Sequence, residues 1–228
     1  MVNKKSFKYS LRQDVEEVFG IEEVKKHDLL DQWLAAECEL TETEKIRLEE
    51  LRSTLEENVD LWNEAELKMN FIGPLLSLVN YNTKKYRAYM ERPLSVAVGE
   101  DKASGTVDFL IARGRQEPRT SFFSVHEHKP ELNVNKDPLG QLLIAMVAIQ
   151  KANAEVEQSF PLYGAYVIGK FFYFVVFDGT TYARTEHYAA NKSEELTQIF
   201  CALRQVKFYI NEVVAQIKDR PPIAPLQV

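Results

Sequence analysis

The stretch Ser121 to Glu131, SFFSVHEHKPE, constrains this chain most when set beside SGTVDFLIA at Ser104 to Ala112. Each is an apolar run of strand length that carries charge where a half-buried strand should have none. Asp108 interrupts Val107-Phe109-Leu110-Ile111, and Glu127 and Lys129 close the run that begins Phe122-Phe123-Ser124-Val125. Side chains alternate faces along a strand, so Glu127 and Lys129 point one way and His126 and His128 the other. Two adjacent strands of this kind place two carboxylates and an ammonium on one sheet face. That chemistry suits a hard divalent cation and a water beside a phosphate.

With 228 residues, the chain can build one sizeable core with an appendage, or two small domains. The longest apolar runs, Leu142 to Ile149 and Phe171 to Phe177, fall short of the ~18 residues of a membrane span. The amino terminus, MVNKKSFKYSLRQ, lacks the apolar core of a secretory signal. Cys38 and Cys201 lie far apart and match no metal spacing, so two inert thiols in a reducing cytoplasm are expected. The net charge of −6 argues against a polyanion partner until its distribution is read. Residues 1–66 hold 9 Lys and Arg against 18 Asp and Glu, leaving the remainder with a net charge of +3. The part with the charged strands can therefore meet a polyanion.

Residues 11 to 60 read as helical, with Leu29, Leu30, Trp33 and Leu34 and then Ile46, Leu48, Leu51 and Leu55 at helical spacing. Thr41 and Glu44 form a capping box. Asn63 opens a stronger helix, capped with Glu66, whose buried stripe is Leu67, Phe71, Leu75 and Leu78. Three residues before Leu67, Glu64 stands at the start of that buried face, and Pro74 should kink the helix. Lys84, Lys85, Arg87 and Arg92 group in a polar, aromatic stretch, either as phosphate contacts or as a solvated basic turn. Leu94 to Val98 reads as a first short strand. Pro138 suits the first turn of a mostly buried helix, Leu139 to Ala154, in which Gln141 is the polar exception. Leu162 to Ile168, Phe171 to Phe177 and Thr181 to Tyr188 read as strands joined at Gly169-Lys170 and Asp178-Gly179. Ser193 should cap a last amphipathic helix reaching about Lys218, before a loose PPIAP tail.

The chain holds four Glu-x-Lys triplets, and only position tells them apart. Glu23-Val24-Lys25 and Glu66-Leu67-Lys68 fall on helical patterns, and Glu100-Asp101-Lys102 falls in a turn. Glu127-His128-Lys129 alone ends an apolar strand, one strand after Asp108. Unpaired burial there costs several kcal/mol, so the charges need compensation, by a salt bridge at the strand end or by a ligand. His126 and His128 have the spacing of two zinc ligands on a strand, or of packed histidines on its back face. The aromatic run Phe171 to Phe177 fits a sheet core or a base-stacking surface.

A charged helix, an Asp on a strand, Glu-x-Lys on the next strand and a helix behind resemble the PD-(D/E)XK nuclease superfamily. The segment NEAELKMNFIGPLL also resembles the opening helix of the amino-terminal nuclease domain in type I restriction enzyme R subunits. The resemblance spans about residues 63–170. It implies an α/β, restriction-endonuclease-like mixed sheet flanked by helices over 63–220; the helical amino-terminal extension over 1–62 has no counterpart in that core. It implies that Asp108, Glu127 and Lys129 are the motif residues, with Glu64 as the helix carboxylate and Gln141 as the glutamine of the following helix. Val107 stands where the motif usually has Pro. The implied function is a Mg²⁺- or Mn²⁺-dependent endonuclease acting on DNA, related to restriction or defence, with Asp108, Glu127 and Glu64 on the metal. The alternative is an inactive nucleic-acid-binding or assembly subunit on the same fold. A homo-oligomer or a partner subunit is expected in either case.

Overall fold

The computed structural model describes residues 4–6, 11–98, 101–131 and 137–217. It is an α/β fold built on a mixed, open sheet. The strands are β1 (Lys4–Ser6), β2 (Glu22–Glu23), β3 (Arg87–Val98), β4 (Asp101–Arg113), β5 (Arg119–Lys129), β6 (Leu162–Ile168), β7 (Phe171–Asp178), β8 (Thr181–Arg184) and β9 (Tyr188–Ala189). Their order is β1-β4-β5-β6-β7-β8-β2, with β3 also on β4 and β9 also on β7. The helices are α1 (Arg12–Phe19), α2 (Asp28–Leu34), α3 (Glu42–Asn58), α4 (Glu64–Leu67), α5 (Gly73–Val79), α6 (Pro138–Ala154) and α7 (Ser193–Gln216). Among the described residues no helix is long and apolar enough to cross a membrane.

Alternation along the central strands makes two cores, because the sheet is covered on both faces. Phe172, Phe174 and Val176 of β7 join Phe109, Ile111 and Val167 beneath α2, α3, α5 and α7. Val175 and Phe177 join Leu110, Phe122 and Val125 beneath α1 and α6. The near-continuous apolar run of α6 follows from its place: it lies over β3, β5 and β6 with almost every residue buried.

The amino-terminal helices are part of this packing. Trp33 sits edge-on to Tyr163 and Phe174 and donates its indole N–H to the Ala202 carbonyl at 2.7 Å. Both capping boxes form, at Thr41/Glu44 and at Asn63/Glu66. Two short strands interrupt the expected run of helices: β1 pairs parallel with β4 and β2 pairs parallel with β8. The cysteine expectation is corrected. Cys38 and Cys201 form a disulfide, with Cα atoms 5.4 Å apart across 163 residues of chain. The segment leaving α2 runs against α7, a contact that sequence spacing cannot reveal, and the thiol argument for a reducing compartment falls with it.

Other departures have local causes. Proline lacks the N–H that an α-helix needs, and the helix meets Pro74 through a π-helical turn, Lys68–Ile72, between α4 and α5. The Gly73 N–H closes that turn on the Lys68 carbonyl. β3 starts seven residues before the expected Leu94, since Arg87 to Met90 pair with Phe109 to Ala112. The strand expected to run to Tyr188 divides into β8 and β9, both on β7. Ser193 is the first residue of α7, after Lys192 at the cap position. Of the turn expected at Gly99-Glu100-Asp101, Asp101 instead opens β4, which also takes in Lys102; Gly99, Glu100, Lys218 and the PPIAP tail lie outside the described residues.

Candidate functional site

β4 changes partner along one edge. β1 pairs with Lys102 to Ser104, and β5 pairs from Phe109 onward. Asp108 sits at this change. On the other edge the β3–β4 ladder runs through Met90–Phe109 and Arg92–Val107 but skips the pair between them, Glu91 with Asp108. Glu91 has φ 50°, in the left-handed region that non-glycine residues seldom adopt. Like charges directly opposite each other destabilise a ladder, and here the ladder opens.

Into this opening come side chains from α4, the π-helical turn after it, β3, β4 and β5. Asp108 Oδ2 accepts the His128 backbone N–H at 2.6 Å, replacing a ladder bond with a side-chain one. Its Oδ1 accepts from Lys68 Nζ at 2.7 Å. Lys68 also reaches Glu64 at 2.8 Å and Glu91 at 3.4 Å. Lys129 Nζ is 2.5 Å from Glu127, 3.7 Å from Glu64 and 3.9 Å from Asp108. Asp108, Glu127 and Lys129 are buried, whereas the Glu64 and Glu91 side chains are 37% and 65% exposed. The cluster is thus closed on the sheet side and open on the side of α4 and β3.

Four carboxylates face two ammonium groups, so the cluster keeps a negative excess. Burial pushes the Glu127 carboxyl up to about 7, and repulsion from Asp108 adds to it, although Lys129 is adjacent. Burial works against charge on Lys129, yet Glu127 and Asp108 outweigh it and hold its pKa above the usual lysine range. Lys68 is likewise held up against burial by its hydrogen bonds to Asp108 and Glu64. The two partners Glu127 and Lys129 therefore lean in opposite directions. We take Lys129 as charged, because three carboxylates lie within 4 Å of it; Glu127 is the group left short of compensation.

The structure brings Glu64, Asp108, Glu127 and Lys129 together. Between the two helix-end carboxylates it selects Glu64, since Glu66 is engaged in the Asn63 capping box. Among the described residues, no hydrogen bond joins Gln141 to the cluster. It lies in the first turn of α6, buried, on the helix that covers the Val125 face of β5. Its Oε1 has no hydrogen-bond partner among the described residues. His126 and His128 occupy the opposite face of β5, and burial lowers both to about 3, so they are held neutral. Their rings are 6.1 Å apart.

Lys68 and Glu91 were not foreseen. Lys68 belongs to a Glu-x-Lys triplet that sits on a helix, and the visible signal was its i, i+4 spacing from Glu64. Glu91 gave none, since its place depends on a distorted ladder. The basic group also divides. Arg92 lies over the Tyr89 ring at 5.8 Å, while Lys84 and Lys85 belong to a separate cleft at the far end of β4.

A hard cation suits this donor set in kind: carboxylate oxygens, a negative excess and a buried carboxyl short of compensation. In position, the ammonium groups stand between the carboxylates, and among the described residues no three Asp, Glu, His or Cys groups are gathered closely enough to hold a metal ion. No family model matches the chain, and no curated protein is found to be similar to it.

Proposed function

We propose that the protein is a Mg²⁺- or Mn²⁺-dependent endonuclease of restriction-endonuclease-like fold, hydrolysing phosphodiester bonds in DNA. The observation that carries this is the convergence of Glu64, Asp108 and Glu127, from three separate elements, around Lys129 with negative charge in excess. Support also comes from the chain order. The Asp108 strand precedes the Glu127–Lys129 strand, and α6 then crosses over to β6, parallel to β5.

Asp108, Glu127 and Glu64 would hold the metal ion, which when bound lowers the pKa of a water and neutralises charge on the phosphate. Lys129 stays protonated among its carboxylates, orients the attacking water and stabilises negative charge as it develops on phosphorus oxygens. The new bond forms between the water oxygen and phosphorus as one proton of that water passes to solvent, the phosphorus–oxygen bond of the leaving group breaks, and solvent supplies the leaving oxygen with a proton. Lys68 must leave Asp108 and Glu64 for those oxygens to serve a cation. A biological role in defence would follow by analogy of fold alone.

The ammonium pairing supports a second reading, a catalytically inactive nucleic-acid-binding subunit in which Lys68 and Lys129 permanently replace the cation. Plasmid nicking in Mg²⁺ or Mn²⁺ separates the two. Nicking by the wild type that is lost in both Asp108→Ala and Lys129→Ala is the expected result. Nicking that survives both substitutions means these residues are not the machinery. A wild type that binds DNA without cutting it favours the second reading.

A further inference from the structure

A second polar feature lies at the opposite end of β4 and β5. The loop Lys84–Lys85, the β4–β5 hairpin and the end of α7 enclose a cleft of about 920 Å³. Lys84, Lys85, Arg113, Arg115 and Arg119 line it, with Glu117 as its acidic member and Val214 and Ile217 as an apolar wall. Elsewhere among the described residues, Arg12, Arg47, Arg52, Lys68, Lys129, Arg184 and Arg204 make ion pairs. In the cleft, among the described residues, Lys84, Lys85, Arg115 and Arg119 make none. Like charges gathered without partners repel one another, and a polyanion relieves that repulsion while releasing its own counterions.

The hairpin holding these cations is a defined turn. The Tyr89 hydroxyl donates to the Glu117 carbonyl at 3.2 Å, and Arg87 donates to the Arg115 carbonyl at 3.5 Å. Gly114 has φ 118°, and a Cβ there would collide with the Glu117 carbonyl.

We infer that this cleft is a phosphate-backbone site for nucleic acid, holding a strand at a fixed distance from the carboxylate cluster. From Asp108 to Arg113 is five residues of strand, or ~17 Å. At 3.4 Å per nucleotide along a duplex, that spans about five nucleotides. The helix that begins at Glu64 ends at Val79, five residues before Lys84, so helix and strand both lead from the cluster toward the cleft. The cations attract phosphate whatever the cluster does, but the choice of nucleic acid as the polyanion rests on the hydrolase reading of that cluster.

The test is fluorescence anisotropy of a labelled 20-base-pair duplex with the full chain in EDTA, across a salt series. The wild type is compared with Lys85→Ala/Arg115→Ala, and both are assayed for Mn²⁺-dependent hydrolysis of bis(p-nitrophenyl) phosphate. About a tenfold or greater loss of affinity is expected, with a salt slope shallower by about 2 for two lost phosphate contacts. Hydrolysis of the small diester should be unchanged. Unchanged DNA affinity and slope overturn the inference, and so does a cleft that binds poly-glutamate while DNA fails to compete. If neither protein hydrolyses the diester yet the double variant still loses DNA, the cleft stands and the catalytic reading falls.

Discussion

Glu127 and His128 are neighbours on β5 and almost equally buried, yet the two faces they occupy solve the burial of polar groups differently. On the Glu127 face, charge is kept and only partly matched: Lys129, Lys68 and three further carboxylates share one opening in the sheet. On the His128 face, charge is given up, since burial drives both imidazoles to the neutral form. On the proposed reading, the first arrangement would exchange partners when an incoming cation replaces an ammonium. The second has nothing to exchange. Polar residues buried side by side on one strand therefore differ in whether their environment leaves them a charge to use.

The largest expected effect breaks the comparison outright. Lys129→Ala should lower the rate of DNA cleavage by about 10²–10³-fold, the usual consequence of removing one group aimed at developing negative charge. His128→Leu should leave cleavage unchanged. Equal losses in single-turnover assays would mean that the two faces do not differ in function.

Next is the response to pH. The histidines have folded pKa values of about 3 against an ordinary 6.5, so they add stability above pH 6.5 that is lost as pH falls. Glu127 has the opposite sign. Raised from 4.5 to about 7, it favours the fold most at low pH, and that contribution is lost as pH rises through 7. Between pH 6.5 and 4.5, unfolding thus takes up two protons at histidine and releases one from Glu127. Stability should therefore fall more steeply with acidification in Glu127→Gln than in the wild type. Urea unfolding at several pH values reads both slopes, and identical slopes would show that Glu127 titrates normally.

His128→Leu tests the neutral face on its own. Neither ring nitrogen has a hydrogen-bond partner among the described residues, so an apolar replacement relieves unpaired polar atoms. A gain of about 1 kcal/mol is expected at pH 7, with the midpoint of urea unfolding as the measure. A loss of stability would show that the ring is bonded in solution.

An effect of similar size sharpens the charged face. If Lys68 is the counter-ion that a metal displaces, Lys68→Met should bind Mn²⁺ about tenfold more tightly in calorimetry, a difference of about 1.4 kcal/mol. Weaker binding in the variant would instead make Lys68 a support for the site.

Much of the candidate site was legible because strand alternation is a local rule. Glu127 and Lys129 had to share a face, His126 and His128 had to take the other, and Asn63 with Glu66 had to cap the helix that carries Glu64. The capping boxes, the burial of the 142–149 run and most strands follow from the same short-range regularities. Lys68 escaped because a lysine on an amphipathic helix is ordinarily solvated, and its partner Asp108 is forty residues away.

By itself, the sequence determined which segments are strands and helices, and which charged residues share a face. Only the tertiary structure decided that β4 changes partner at Asp108, that Glu91 faces it across a broken pair, and that Lys68 fills the space between them. It also decided that Cys38 meets Cys201 and that five cations gather at the other end of β4. The physical reason is common to all of these. Periodicity along the chain fixes where a side chain points, but charge compensation depends on what stands opposite, and that is set by packing between segments distant in sequence.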